Sequence, residues 1–379
     1  MYLHSPVVMA CDIVIIGGGV IGLSVARRLA REGLNVTLLE RGRCGSEASW
    51  AGAGVLSPCN PHRTDVAAQF QDQSLRLYPR FCRELLDETG IDPEYEACGE
   101  LELVFDEQGL GIARSDFEAG KNHPLSDGSP AYQLLSREEA LRIAPAVSPE
   151  IIAALQVRTS AQVRNPRLLQ ALTESCRRFD VDIREESAVG HLLFDGATLI
   201  GVRAGGETIS AGLFILCAGA WSSRIDERLQ TLLPIHPVRG QMILMKLDRP
   251  PFRPILARGK TYLVPRGDGH VLLGATEEHD SGFEKRNTPQ GIAHLTQGGL
   301  RLCPLLANAP IIATWAGFRP GTPDDKPYLG PIPGMDRLIA AAGHFRTGLT
   351  MAPATAEYVA ALICGRGFDL DLSCCRPGR

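Results

Sequence analysis

The chain lacks the runs and clusters that mark several protein classes. Met1 to Ala10 carries no basic segment followed by a long apolar stretch, as an export signal would. The first apolar run, Ile13 to Ile16, is far too short to cross a bilayer, so no membrane span is expected and the protein reads as cytoplasmic. It also lacks an excess of positive charge. A net charge of −4 argues against nucleic acid or an anionic membrane as a partner. The 11 cysteines are scattered, with no C-x-x-C pair and no Cys/His spacing of a zinc site. Most read as small buried apolar residues, Cys217 among them, while Cys374 and Cys375 fall in a tail expected to be poorly ordered. No H-x-E or D-x-D cluster suggests a metal, so none is expected, and no histidine pairs with Ser and Asp as a triad. Internal repeats and low-complexity segments are absent.

What is present is ordinary in bulk: 379 residues, 44% hydrophobic and 22% charged, enough for two lobes with large cores. The informative stretch is Asp12 to Glu40. An apolar run, Ile13 to Ile16, leads into G-x-G-x-x-G at Gly17, Gly19 and Gly22. A helical pattern follows from Val20 to Arg31, then a second apolar run, Val36 to Leu39, ending on Glu40. Gly17 permits the tight turn, Gly19 the approach of a pyrophosphate to a helix N-terminus, and Gly22 close packing of helix on strand. Glu40, 18 residues past Gly22, suits a ribose with free hydroxyls. The motif implies a dinucleotide, and by itself leaves FAD and NAD open.

The glycine-rich stretch after Glu40, through Trp50 to Pro58, reads as a loop against that cofactor. Later segments suggest a parallel sheet revisited at Leu213 to Cys217, and antiparallel strands at Val238 to Leu247, Tyr262 to Pro265 and Val271 to Ala275. Helices are expected over Asp65 to Gly90, Ser136 to Ile143, Pro166 to Phe179, Thr288 to Leu306 (interrupted at Gly298-Gly299) and Gly348 to Ile363. The fold class is therefore α/β: a doubly wound, Rossmann-like lobe carrying an inserted, mainly antiparallel α+β lobe. The first lobe is assigned 9–80, 150–232 and 320–368, the second 81–149 and 233–319, with 369–379 as tail.

Three arginines lie among glycines and apolar residues: Arg239, Arg319 and Arg346. A partly buried guanidinium needs an anion, either a substrate carboxylate or a structural acid. Tyr262 either packs on its strand or donates to the same carboxylate. A helix beginning at Gly348, directly after Arg346, would stabilise negative charge on a reduced flavin, which favours FAD.

Together, V-I-I-G-G-G-V-I-G-L at 14–23, E-A-S-W-A-G-A-G-V-L-S-P at 47–58, W-A-G-F-R-P-G-T at 315–322 and G-H-F-R-T-G-L-T-M-A-P-A-T at 343–355 resemble the D-amino-acid oxidase superfamily of FAD enzymes, and within it the glycine-oxidase branch of thiamine synthesis. The resemblance implies FAD-binding roles for Gly17, Gly19, Val20, Ile21, Gly22, Glu40 and Arg41 at the adenosine and pyrophosphate end. It implies that Ala48, Ser49, Ala53, Gly54 and Val55 line the flavin, and that Val189 meets the adenine end through its backbone. His344, Arg346, Thr347, Gly348, Leu349 and Thr350 would wrap the pyrimidine side. Arg319 would clamp an amino-acid carboxylate, assisted by Tyr262, with Arg346 in the same pocket.

The resemblance implies non-covalent FAD, because Ala51 and Arg319 stand where relatives with covalent flavin carry His and Cys. It further implies hydride transfer from a small amino acid to flavin N5, with dioxygen as co-substrate, giving glyoxylate, ammonia and hydrogen peroxide from glycine, and a tetrameric homo-oligomer. A D-amino-acid dehydrogenase, an oxidase of a larger secondary amine and a flavoprotein whose fold serves binding or a non-amine substrate remain alternatives. Lys260 and Glu277 depart from some glycine oxidases and would border the substrate cavity.

Overall fold

A computed structural model describes residues 13–121, 125 and 128–379; Asp12 and the first ten residues lie outside it. Two sheets organise the chain. In the first, six strands lie in the order Tyr328–Pro331, Leu338–Ala342, Leu213–Leu216, Ile13–Ile16, Val36–Leu39, Asp182–Arg184. All pair in parallel except Tyr328–Pro331, which is antiparallel at one edge.

The alternation of side chains explains why Ile13–Ile16 is apolar throughout. Ile13 and Ile15 face the helices Val20–Ala30, Val66–Thr89, Asn165–Arg178 and Gly348–Ile363. Val14 and Ile16 face an antiparallel meander, Val189–Asp195, Thr198–Ala204 and Glu207–Ser210, that covers the opposite side. The first helix starts directly at the strand because Gly22 has no side chain: a Cβ there would lie 1.9 Å from the Gly17 carbonyl oxygen.

The second sheet has eight strands, in the order Ile311–Gly321, His236–Lys246, His270–Gly274, Thr261–Pro265, Ile255–Arg258, Glu100–Val104, Ala153–Val157, Tyr132–Ser136. It is antiparallel except where Ile255–Arg258 meets Glu100–Val104. One face buries Leu101, Leu256, Leu263 and Leu273 against the helix Pro289–Leu302. Each such leucine contributes about 2 kcal/mol of burial free energy. The other face carries Met242, Val264, Ile255 and Tyr262 toward the first lobe.

Several expectations are corrected. Pro289–Leu302 runs unbroken through Gly298 and Gly299, because both glycines accept the neighbouring sheet: a Cβ on Gly299 would lie 2.7 Å from Leu273. The tail is docked, not loose. Leu372 and Cys375 are buried against the helical core, and Arg379 pairs with Asp324 at 2.9 Å. Ala153–Val157 falls on the first-lobe side of the boundary expected at 150, yet it pairs with both neighbours in the eight-stranded sheet. The helix Glu107–Gly120 and the strands Tyr132–Ser136, Ile255–Arg258 and Tyr328–Pro331 had no counterpart in the sequence reading.

Candidate active site

Two cavities meet between the sheets. One, of about 410 Å³, opens at the C-terminal end of Ile13–Ile16, and the other, of about 340 Å³, lies against the eight-stranded sheet. Ala48, Gly52, Arg319, Arg346 and Leu349 line both, so the two are continuous.

The first cavity is built for a dinucleotide. Gly17, Gly19, Val20 and Ile21 form its floor, where the helix presents free N–H groups. The Val20 N–H already donates to Ser49 Oγ at 2.9 Å, which ties the following loop to the helix start. Glu40 closes one end. Its Oε2 accepts from Gly18 N at 2.7 Å and its Oε1 from Gly42 N at 3.0 Å. A carboxylate offers about four lone-pair sites, so two stay available for hydroxyls. Arg41 stacks 3.5 Å above the Trp221 ring and pairs with Glu47 at 2.7 Å. Val189 lines this cavity from the start of its strand, as do His344 and Gly348.

Of the residues expected to hold the cofactor, Ala53, Gly54, Val55, Thr347 and Thr350 line the second cavity, and Ala48, Arg346 and Leu349 line both. Only Gly22 lines neither, since it packs against Gly17. The 48–55 loop is held from beneath. Asn165 Nδ2 reaches the carbonyls of Ser49, Trp50 and Gly52, and buried Arg266 donates to Ala53 O at 2.7 Å. Burial lowers the Arg266 pKa to about 10, still charged at neutral pH. On the opposite side His344 is buried against Thr355 Oγ1 at 3.1 Å, and burial lowers its pKa to about 3, so the imidazole is neutral. Phe345 adopts a left-handed conformation, φ 47°, a turn that sets the following Arg346 at the junction of the two cavities.

The second cavity brings two of the arginines and Tyr262 together. Arg319 and Val238 are cross-strand neighbours, and the Arg319 guanidinium lies over Gly240: a Cβ there would lie 2.5 Å from Nη1. That nitrogen donates to Thr276 O at 3.1 Å. Among the described residues, no carboxylate comes within ion-pair distance of Arg319. Tyr262 lies beside it. Burial raises the Tyr262 pKa, partly offset by the Arg319 charge, so the phenol stays protonated and able to donate. Arg346 completes the wall and is engaged by Glu277 at 2.5 Å. Arg239, by contrast, points to the other face and is spent on Glu278, also at 2.5 Å, which makes it a structural ion pair. Sequence reasoning missed Gly240, Met242, Gln71 and the half-buried acid Glu100 as lining residues. Each comes from a strand or helix whose register alone brings it to the cavity.

Comparison with known proteins decides the family. The profile of the FAD dependent oxidoreductase family matches residues 12–362. The chain belongs to that family. The cavities fit its cofactor: the Gly-rich floor and Glu40 suit the adenosine diphosphate half, and the region from Ala48 to Thr350 suits the flavin. The chain is 41% identical to a glycine oxidase of Pseudomonas aeruginosa over 96% of its own length and 97% of that protein. It is 35% identical to the bifunctional protein ThiO/ThiG of Trichormus variabilis, covering 96% of this chain and 54% of that one. Its fold matches the crystal structure of glycine oxidase from Geobacillus kaustophilus with a TM-score of 0.90 at 29% identity, covering 97% and 98% of the two chains. It is thus an FAD-dependent amine or amino-acid oxidase. Among the described residues no helix is long and apolar enough to cross a membrane.

Proposed function

We propose that the enzyme oxidises glycine, and with it sarcosine and small D-amino acids, to a 2-oxo acid and ammonia, or methylamine where the substrate is sarcosine. The observation that carries this reading is Arg319: a guanidinium seated over Gly240, beside a protonated Tyr262, facing the cavity without an acid of its own. Its planar fork binds one carboxylate by two parallel hydrogen bonds, and the Tyr262 hydroxyl adds a third. Fixing the carboxylate fixes the Cα–H, so the residues act by positioning. FAD, when bound, would supply the two-electron acceptor for that hydrogen, with dioxygen as the final acceptor giving hydrogen peroxide.

No side chain is needed as a base. His344, the histidine lining the first cavity, is buried with Thr355 and stays neutral, and the amine's own lone pair assists departure of the hydrogen. The imine hydrolyses in water to glyoxylate when the substrate is glycine. Ala51 and Arg319, at the positions where covalent flavin would be attached, carry no nucleophile, which supports non-covalent FAD. Likeness to a ThiO/ThiG protein supports a role in the thiazole branch of thiamine synthesis.

The test is anaerobic bleaching of the flavin absorbance by glycine, sarcosine, D-alanine and larger secondary amines, followed by peroxide assay in air. Bleaching by glycine with stoichiometric peroxide is expected. Bleaching confined to the larger amines would replace the substrate assignment, and dye reduction without peroxide would make the enzyme a dehydrogenase.

A further inference from the structure

The cavity wall carries two arginines with opposite fates. Among the described residues Arg319 has no acidic partner, whereas Arg346 gives Nε to Glu277 Oε2 at 2.7 Å and its terminal nitrogen to the same oxygen at 2.5 Å. Glu277 is well placed to hold it: the side chain is 7% exposed and also receives Lys260 Nζ at 2.7 Å and His279 Nε2 at 3.3 Å. Asp325 lies 3.7 Å from Arg346 on its other side. Two permanent cations therefore face two carboxylates, and the cluster is close to neutral. Burial alone would raise the Glu277 pKa, but the hydrogen bonds from Lys260 and Arg346 bring it down to about 2, so the carboxylate is ionised across the working pH range.

We propose that Glu277 is a specificity residue: by occupying Arg346 it leaves Arg319 as the cavity's single carboxylate-binding cation and restricts the enzyme to monocarboxylic amino acids. A substrate with a second carboxylate would reach Arg346 only by displacing an ion pair already made, and it would then share that guanidinium with the ionised Glu277 carboxylate. Selectivity of this kind comes from the repulsive element as much as from the attractive one. The inference rests on Arg319 as the carboxylate clamp, and it names the substrate class that clamp serves.

The experiment uses the FAD-loaded enzyme in two arms. In the first, perturbation of the flavin spectrum reads the binding of acetate and malonate, neither of which is oxidised. Wild type is expected to bind acetate at least tenfold better than malonate, and Glu277→Gln to shift that ratio toward malonate by at least tenfold. In the second arm, kcat/KM for iminodiacetate relative to glycine should rise by a similar factor in Glu277→Gln. The double variant Glu277→Gln/Arg346→Ala should lose the gain. Equal binding of acetate and malonate by wild type, a ratio shifted less than threefold, or a gain that survives loss of Arg346 would each overturn the proposal. Should Glu277→Gln fail to hold flavin, Glu277→Met removes the same charge and the wild-type ratio still decides. Because the binding arm needs no turnover, absence of glycine oxidation would defeat the functional reading without touching this one.

Discussion

Arg239 and Arg319 sit one residue out of step on paired strands: Arg319 is opposite Val238, and Arg239 opposite Phe318. Both are flanked by glycine and apolar residues. The single-residue offset puts them on opposite faces of the sheet. Arg239 is buried, with two nitrogens on Glu278 Oε2 and a third on Glu284 O at 2.8 Å. Arg319 faces the cavity, with a hydrogen bond to a carbonyl, Tyr262 beside it and no carboxylate paired to it among the described residues. The same side chain is thus a structural ion pair where its acid comes from the fold, and open to an acid from solution where the fold supplies none among the described residues.

That contrast breaks most sharply under truncation. Arg319→Ala should retain flavin and stability while kcat/KM for glycine falls about 10³-fold, as expected when one partner of a desolvated charge pair is removed. Arg239→Ala should do the reverse. It leaves the half-buried Glu278 with only its hydrogen bonds from Gln241 and Thr276 and costs roughly 1–3 kcal/mol of stability, read by urea unfolding, with kinetic constants of the folded fraction close to wild type. Exchanged outcomes would mean that the faces are misassigned.

These two residues also mark the limit of sequence reasoning. Gly17, Gly22 and Glu40 were legible because a strand, a tight turn and a helix start must follow one another in the chain. The helix Gly348–Ile363 was legible from periodicity, and its bounds agree with those expected. The sequence favoured Arg319 over Arg239 as the clamp through the resemblance, since local context does not reveal which face a side chain takes. Register between strands some 80 residues apart decides it. The same limit hid Gly240, whose missing side chain matters only because Arg319 lies across it. Gly298 and Gly299 failed in the opposite direction: low helix propensity suggested a break, but packing against Thr261 and Leu273 overrides it. The helix Glu107–Gly120 escaped notice because Gly109 and Gly111 blur a short, mostly exposed pattern.

Acids show the comparison in mirror image. Glu278 has its cation, whereas Glu102, in register with Ala257 and through it with Tyr262, lies in no ion pair among the described residues. Burial, reinforced by the charge of Glu100 and opposed by a hydrogen bond from Gly259 N, raises the Glu102 pKa to about 7. The folded state therefore keeps a proton that the unfolded chain releases near its ordinary value of 4.5. This stabilisation is complete below that value and lost as pH rises toward 7. Glu102→Gln, which stays neutral, should gain on wild type across that window, reaching about 2–3 kcal/mol at pH 8. Urea unfolding of both proteins at pH 5 and pH 8 checks it, and a difference independent of pH would remove the buried neutral acid.

The seat of Arg319 can be tested without touching its charge. In Gly240→Ala the new Cβ would lie 2.5 Å from Nη1, and the guanidinium must shift because the backbone beneath it cannot. A displacement near 1 Å is enough to cost roughly 30–100-fold in kcat/KM. The expected signature is a raised KM with flavin retained. Wild-type kinetics would mean that the carboxylate is held elsewhere.

Tyr262 should give the smallest effect, and the most diagnostic one. Its hydroxyl lies beside Arg319, with Met242 Sδ at 3.8 Å as its other neighbour, so the protein gives it no strong acceptor. A donor without a good protein acceptor is available to a carboxylate on Arg319. Tyr262→Phe keeps the ring's packing and removes one hydrogen bond to a charged group, worth about 1.5 kcal/mol, or roughly tenfold in kcat/KM. The loss should vanish in an Arg319→Ala background, because both residues act on one carboxylate and their effects are coupled. Additive losses would separate the two residues and leave Arg319 alone as the clamp.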